Sequence, residues 1–353
     1  MTSDKSSDDL PAFPGDQWKG KVSNHIQIGG IETAVLDNGN GKGVRVAWIN
    51  TGSGLRFRVV LDRGMDIADA FFDKYSLAWI SHLGVTPPDV SANQGIQWFH
   101  SFGGGLLTTC GLTHVGGPEN DEQGQRGVHD RISHSPAEIV SIRQPDLNRN
   151  DLTMSITGRM IQSSTFGPHL ELVRTIQADL GSSTFRINDK VTNVGNQQAP
   201  HMLLYHCNFG WPLIDEGAEL YWEGDLTIPN EQSREIFENG NDYRVCKNPM
   251  ESHSGTGEAV AFIDAAPTAD GYCTCGVIND RIGLKLGLRF QKSQLPWLTN
   301  WQHWGNNEYV TALEPCTHPP IGQAAARKNN TLIFLKPGET KNYELEMSIQ
   351  PIE

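Results

Sequence analysis

A chain of 353 residues with 28 Lys and Arg against 41 Asp and Glu carries a net charge of −13. Such acidity argues against nucleic acid or an anionic membrane as partner, since both demand clustered Lys and Arg. No apolar run is long enough to span a bilayer and residues 1–9 hold no apolar signal core, so the expected compartment is cytoplasmic.

Residues 1–20 are polar at the start and are expected to form a disordered tail, followed by one domain over residues 21–353. Short apolar runs separated by Gly, Asn, Asp and Pro then dominate. Residues 30–36, 43–49, 55–61, 152–158, 185–193 and 331–335 alternate, or nearly alternate, apolar with polar side chains. Period-two alternation with turn residues between predicts antiparallel strands. Residues 37–43, Asp-Asn-Gly-Asn-Gly-Lys-Gly, read as a hairpin loop, and residues 342–349 as a last strand. Residues 225–250 are polar and irregular and read as a long surface loop. Few stretches show helical period, no composition shift marks a linker, and no repeat stands out. The predicted class is all-β, a single large antiparallel β-sandwich.

Cys110, Cys207, Cys246, Cys273, Cys275 and Cys316 are few for this length, which predicts buried thiols in a reducing compartment. Arg63 lies in Leu61-Asp-Arg-Gly-Met-Asp66, either a ligand clamp or a buried ion pair at a strand end. Phe102-Gly-Gly-Gly lacks the Lys and Ser/Thr of a phosphate loop, so the glycines predict close backbone approach. His129, Asp130 and Arg131 form a run that can recognise hydroxyls, because Arg donates in a fixed fork; a charged turn is the alternative.

His206 ends the apolar run His201-Met-Leu-Leu-Tyr-His206-Cys-Asn208. On a strand Met202, Leu204, His206 and Asn208 share one face and His201 takes the other. The pattern allows a cleft histidine or a hydrogen-bonded core histidine. Trp297, Trp301, His303 and Trp304, among Asn300, Gln302, Asn306 and Asn307, form either a stacking platform for sugar rings or a core patch. Glu314 ends another apolar run and precedes Pro315, which holds it extended, either as a functional carboxylate or as a strand-end carboxylate in solvent. An imidazole and a carboxylate placed rigidly in one cleft form an acid–base couple. His129, His134, His206, Glu314 and His318 can also be drawn as a metal set, but no pair has H-x-H or H-E-x-x-H spacing.

Several segments resemble the galactose mutarotase, or aldose 1-epimerase, superfamily, in a divergent bacterial branch. They are Leu61-Asp-Arg-Gly-Met-Asp, Phe102-Gly-Gly-Gly-Leu-Leu-Thr-Thr-Cys-Gly-Leu, Gly127-Val-His-Asp-Arg-Ile-Ser, His206-Cys-Asn-Phe-Gly-Trp-Pro and Ala312-Leu-Glu-Pro, within a similarity from about Asn24 onward. The resemblance implies a large antiparallel β-supersandwich. It places the superfamily's second histidine on His206, with Asn208 following, its first on His129 and its base on Glu314. Val128-His129-Asp130 departs from the superfamily's Leu-His-Gly run. The superfamily also has a substrate-binding Arg before the first histidine and an Asp between the second histidine and the base, which the sequence alone does not place.

The reading that follows is a carbohydrate-converting enzyme, an aldose 1-epimerase (mutarotase) or related sugar epimerase or isomerase. Glu314 takes the anomeric proton and His206 protonates the ring oxygen. Arg63, His129, Arg131, Asn208, Trp301, His303 and Trp304 bind the monosaccharide, and no cofactor or metal is expected. On these roles activity falls at high pH as His206 loses its proton and at low pH as Glu314 gains one, a bell-shaped profile whose limbs report the pair rather than either residue alone. A metal-dependent sugar isomerase using His129, His206, Glu314 and His318, or a non-catalytic carbohydrate-binding protein, are the alternatives.

Overall fold

The computed structural model describes residues 18, 20–89, 91, 93–238 and 240–352. The tail expected over residues 1–20 lies outside them, apart from Trp18, which is buried in the core, and Gly20. The chain folds as antiparallel sheets, in agreement with the alternation. Gly30–Val35, Arg45–Asn50, Leu55–Val60, Asp66–Phe72 and Tyr75–Ser76 form a five-stranded meander in chain order. Its first connection holds the 3₁₀ turn Gly39–Gly41, where the Asp-Asn-Gly-Asn-Gly run predicts a hairpin loop.

An eight-stranded sheet runs Glu219–Trp222, Tyr272–Asn279, Leu284–Gln291, Thr340–Pro351, Thr184–Asn193, His169–Asp179, Thr153–Ser163, Glu138–Arg143. Its central strands alternate: along His169–Asp179 every second side chain is buried. A third sheet runs Gly224–Thr227, Ala259–Ala265, Trp297–Gly305, Glu308–Cys316, Ala199–Phe209, Ile333–Leu335, with Thr108–Leu112 also pairing to Ala199–Phe209. Ala199–Phe209 is buried on both faces nearly throughout, which accounts for its near-continuous apolar sequence. Leu203, Tyr205 and Cys207 enter the main core against the eight-stranded sheet. Met202 and Leu204 face the other way, into a second cluster with Trp98, Phe102 and Val128.

Residues 225–250 are not a simple surface loop. They supply the edge strand Gly224–Thr227 and a helical turn Arg234–Phe237 whose Ile236 and Phe237 are buried. The other α-helix among the described residues is Gln323–Lys328, and no helix there is long and apolar enough to cross a membrane. All six cysteines are free and buried. Close approach accounts for the Gly103–Gly105 run: a Cβ on Gly104 would meet Trp79 O at 2.7 Å, and one on Gly105 would meet Ile67 O at 2.5 Å.

At the centre lies Arg174, with no exposed surface. Its guanidinium donates to both oxygens of Asp189 at 2.9 and 2.7 Å, to Gly64 O at 3.0 Å, to Thr109 Oγ1 at 2.8 Å and to Asp66 Oδ1 at 3.3 Å. Tyr205 Oη donates to Asp189 Oδ2 at 2.7 Å. The turn carrying Leu61-Asp-Arg-Gly-Met-Asp66 therefore does end in a buried ion pair, made by Asp66 rather than Arg63. Burial lifts the Asp66 carboxyl to about 6 against the pull of Arg174. Arg174→Met would leave Asp189 and Asp66 buried without their counter-charge. That substitution is predicted to cost about 3–5 kcal/mol, read as a lower urea midpoint; an unchanged midpoint would mean that the network contributes nothing to the folded state.

Candidate active site

The pairing register builds the site. Cys207 pairs with Leu313 and Leu204 with Cys316, so the same register sets His206 across from Glu314. Glu314 pairs with Thr299, and Thr299 with Phe262. His206, Glu314, Thr299 and Phe262 thus form one rung across four neighbouring strands, and all four line one cleft of about 340 Å³. One step along, Asn208 pairs with Ala312, Ala312 with Trp301 and Trp301 with Val260. Trp301 and Val260 line the same cleft.

His206 Nε2 lies 3.2 Å from Glu314 Oε1, and the residues are only 6% and 2% exposed. Burial pushes the Glu314 carboxyl well above the usual carboxylate range, with a further push from the Glu258 charge. It lowers His206 to about 3. Burial alone therefore favours a neutral acid beside a neutral imidazole, opposite to the ionised base and protonated acid expected from the sequence. At 3.2 Å the attraction between imidazolium and carboxylate opposes that preference, so the two groups act as a couple sharing one proton. Asn208 is the group whose side chain favours the imidazolium. It is fully buried and absent from the cleft lining, its Nδ2 donating to Gly105 O at 3.0 Å and His206 O at 3.1 Å. Its Oδ1 and His206 Nδ1 are both buried without a hydrogen-bond partner. Asn208 therefore supports His206 from behind, where the sequence placed it against the substrate.

His129 reaches the cleft from a loop, its ring 6.2 Å from that of His206 and 5.0 Å from that of Trp98. Burial, then the neighbouring His206, holds its pKa well below the usual imidazole value, so it is neutral. His129 and Asp130 both have left-handed backbone, with φ +54° and +58°, a conformation that costs about 1–3 kcal/mol per non-glycine residue. Asp130 Oδ2 anchors it, accepting from Thr113 N at 2.9 Å, Thr113 Oγ1 at 2.6 Å and Gln162 Nε2 at 2.6 Å.

Of the expected tryptophan platform, only Trp301 lines the cleft. Its ring is edge-on to His206 at 5.4 Å and stacked on His303 at 6.0 Å, and its Nε1 donates to Glu258 Oε2 at 2.7 Å. His303 stands behind it, with Nδ1 bonded to Gly257 O at 2.6 Å and Nε2 3.4 Å from Glu308. Trp304, three residues on, falls on the opposite strand face, is fully buried and donates to Gln302 Oε1. Arg63 is also elsewhere: it donates to Ser133 O at 2.5 Å, Thr86 Oγ1 at 2.6 Å and Ser101 O at 3.2 Å. Arg131 donates to Ser163 O and lines a different cavity. His303, Trp304, Arg63 and Arg131 are thus not cleft residues, because hydrogen bonds or strand parity turn them away from it.

Sequence reasoning missed Trp98, Phe99, Phe102, Glu258 and Asn230, all of which line the cleft. Trp98 and Phe99 sit on the 3₁₀ turn Gln97–His100, too short to leave a periodic signal. No Arg or Lys lines the cleft among the described residues. The metal set does not assemble either. His318 spends both ring nitrogens on Thr317 Oγ1 at 2.9 Å and Thr331 O at 2.7 Å. His134 is likewise bonded to Asp89 N and Ser101 Oγ, and no group of three ligating side chains is placed to hold an ion among the described residues.

The fold is that of galactose mutarotase-like proteins. A candidate aldose 1-epimerase from Klebsiella pneumoniae superposes with a TM-score of 0.79 at 21% identity, over 91% of this chain and 83% of that one. A galactose mutarotase-like protein from Clostridium acetobutylicum gives 0.63 at 11% identity, over 91% and 98%. Galactose 1-epimerase from Lactobacillus acidophilus gives 0.60 at 11%, over 92% and 99%. No curated protein matches the sequence. The sequence profile of a domain of unknown function, DUF4432, matches residues 41–349, and the chain belongs to that family.

Proposed function

We propose that this protein is a sugar epimerase of the aldose 1-epimerase type, acting on a monosaccharide held between Trp301 and the aromatic wall of Trp98 and Phe102. The observation that carries the reading is the 3.2 Å contact of His206 with Glu314 at the buried floor of an aromatic cleft. In the tautomer with imidazolium and carboxylate, Glu314 accepts the proton of the anomeric hydroxyl and His206 donates one to the ring oxygen. The C1–O5 bond breaks and the C1=O1 bond forms. The couple is left as neutral acid and neutral imidazole, the pairing that burial favours. Rotation about C1–C2 presents the other carbonyl face, and the reverse transfers close the ring as the other anomer. Low dielectric strengthens every one of these contacts, and positioned acid and base each contribute roughly a hundred- to ten-thousandfold. Neutral His129 hydrogen-bonds the ring oxygen or a neighbouring hydroxyl. Glu258, bonded to Trp301, takes the place of the acid that the mutarotase resemblance expects between His206 and Glu314 in sequence.

Glu314→Gln is expected to keep the fold and to lose about a hundredfold or more of anomer exchange. Exchange is measured by magnetisation-transfer NMR over a panel of aldoses, and an undiminished rate would remove Glu314 from the mechanism. The shared proton also fixes the pH profile. The couple gains a second proton only near the lowered value of His206, about 3, and loses its single proton on the alkaline side, at the raised Glu314 carboxyl. Activity should therefore stay level as pH falls through about 6.5, the ordinary imidazole range. A limb centred there would show that His206 titrates alone. The platform gives a third test. Sugar should change tryptophan fluorescence, and Trp301→Ala should abolish that change while leaving the unfolding midpoint nearly in place. Trp304→Ala, in contrast, should cost about 3–5 kcal/mol of stability with sugar affinity kept in the folded fraction; the opposite pattern would put the platform on the wrong face.

A further inference from the structure

A second cavity, of about 490 Å³, shares no lining residue with the active-site cleft. Its size is in the range of small-molecule sites, and its walls are polar. Arg126, Arg131 and Arg327 contribute guanidiniums, and Gln125, Gln162, Gln198 and Gln323 contribute side-chain amides.

The charges there are not balanced. Arg126 is neutralised by Glu119 at 2.8 Å and Asp121 at 2.5 Å. Arg131 and Arg327 have no carboxylate within ion-pair distance among the described residues. Arg131 donates to the backbone carbonyl of Ser163, and Arg327 to the neutral amide of Gln323 at 3.0 Å while lying over the Phe334 ring at 5.2 Å. Asp121 is near enough for Arg327 to help lower its pKa, but its oxygens bond Arg126 and Gln123 N. The one carboxylate among the described lining residues, Asp130, already accepts from Thr113 and Gln162. Two buried polar atoms without a partner, Arg327 Nε and Asn93 Oδ1, belong to residues of this same wall.

In a chain of net charge −13, two guanidiniums without counter-charge in one amide-lined cavity call for an anion from outside. We propose that this cavity is a second binding site, for a small hydroxylated anion. Its phosphate or carboxylate engages Arg131 and Arg327, and its hydroxyls engage the glutamine and asparagine amides. A planar guanidinium matches either anion through paired N–H donors. The site stands apart from the epimerase chemistry and does not depend on it.

Calorimetric titration of the full chain at low ionic strength tests the assignment, with glucose 6-phosphate, glucuronate, inorganic phosphate and glucose as probes. At least one charged sugar should bind with a one-to-one component that survives Glu314→Gln. That component should weaken about 10- to 100-fold in Arg131→Gln or Arg327→Gln, the range for losing a charged hydrogen bond. Gln125→Glu, on the exposed rim, adds a negative charge without removing any packing and should weaken it too. Retention of binding by glucose 6-phosphate but not glucuronate, or the reverse, would identify the anionic group. The proposal is overturned if neither charged sugar binds. It also fails if binding ignores the Arg131 and Gln125 substitutions, if Glu314→Gln abolishes it, or if inorganic phosphate binds as tightly as the sugar anions.

Discussion

The Arg174 guanidinium is the contact on which the arrangement of the sheets turns. It ties the His169–Asp179 strand to Asp189 on the next strand, to Asp66 and Gly64 at the turn after the third meander strand, and to Thr109 on the strand beside His206. Tyr205 adds the His206 strand itself through Asp189. Each ion costs several kcal/mol to bury before pairing, so the net stability of the fold rests on the apolar cluster that surrounds the network. What the network decides is position. Buried donors and acceptors tolerate little displacement without losing partners, and so the strands of the site are held from behind at a fixed depth.

That fixed depth matters because the chemistry of the cleft is set by burial. The same desolvation that raises Glu314 lowers His206, and both effects favour a couple whose one proton rests on the carboxyl, with the 3.2 Å contact opposing that preference. A couple of that kind exchanges protons with a substrate in either direction without changing its net charge. Around it the cleft is mainly aromatic and aliphatic, with Glu258, Asn230, Thr299 and His129 as its other polar groups. His129 and Asp130 hold left-handed backbone, and the Asp130 carboxylate that anchors it lines the second, arginine-lined cavity.

Much of this was legible from local pattern. Alternation located the strands, and strand parity placed His206 with Asn208 and against His201; His201 indeed bonds Leu112 O and Tyr343 Oη on the opposite side. The glycine run after Phe102 was readable as close approach. The same parity rule, applied to residues 297–304, separates Trp301 from Trp304, and a platform containing both ignores it. Arg63 and Arg131 were drawn to the site by their chemistry alone. Their actual partners, the carbonyls of Ser133 and Ser163, stand 70 and 32 residues away in sequence and leave no local signal.

The sequence by itself determined an all-β chain, which residues share a strand face, and that His206 and Glu314 end apolar strands. These are properties of a two-residue period acting within one segment. Only the tertiary structure decided that His206 and Glu314 meet at 3.2 Å, that a 3₁₀ turn bearing Trp98 walls their cleft, and that Arg131 and Arg327 share a cavity. Each of these depends on pairing register and sheet packing between distant segments. A slip of one residue would turn every side chain to the other face, and nothing within a single strand specifies which neighbour it meets.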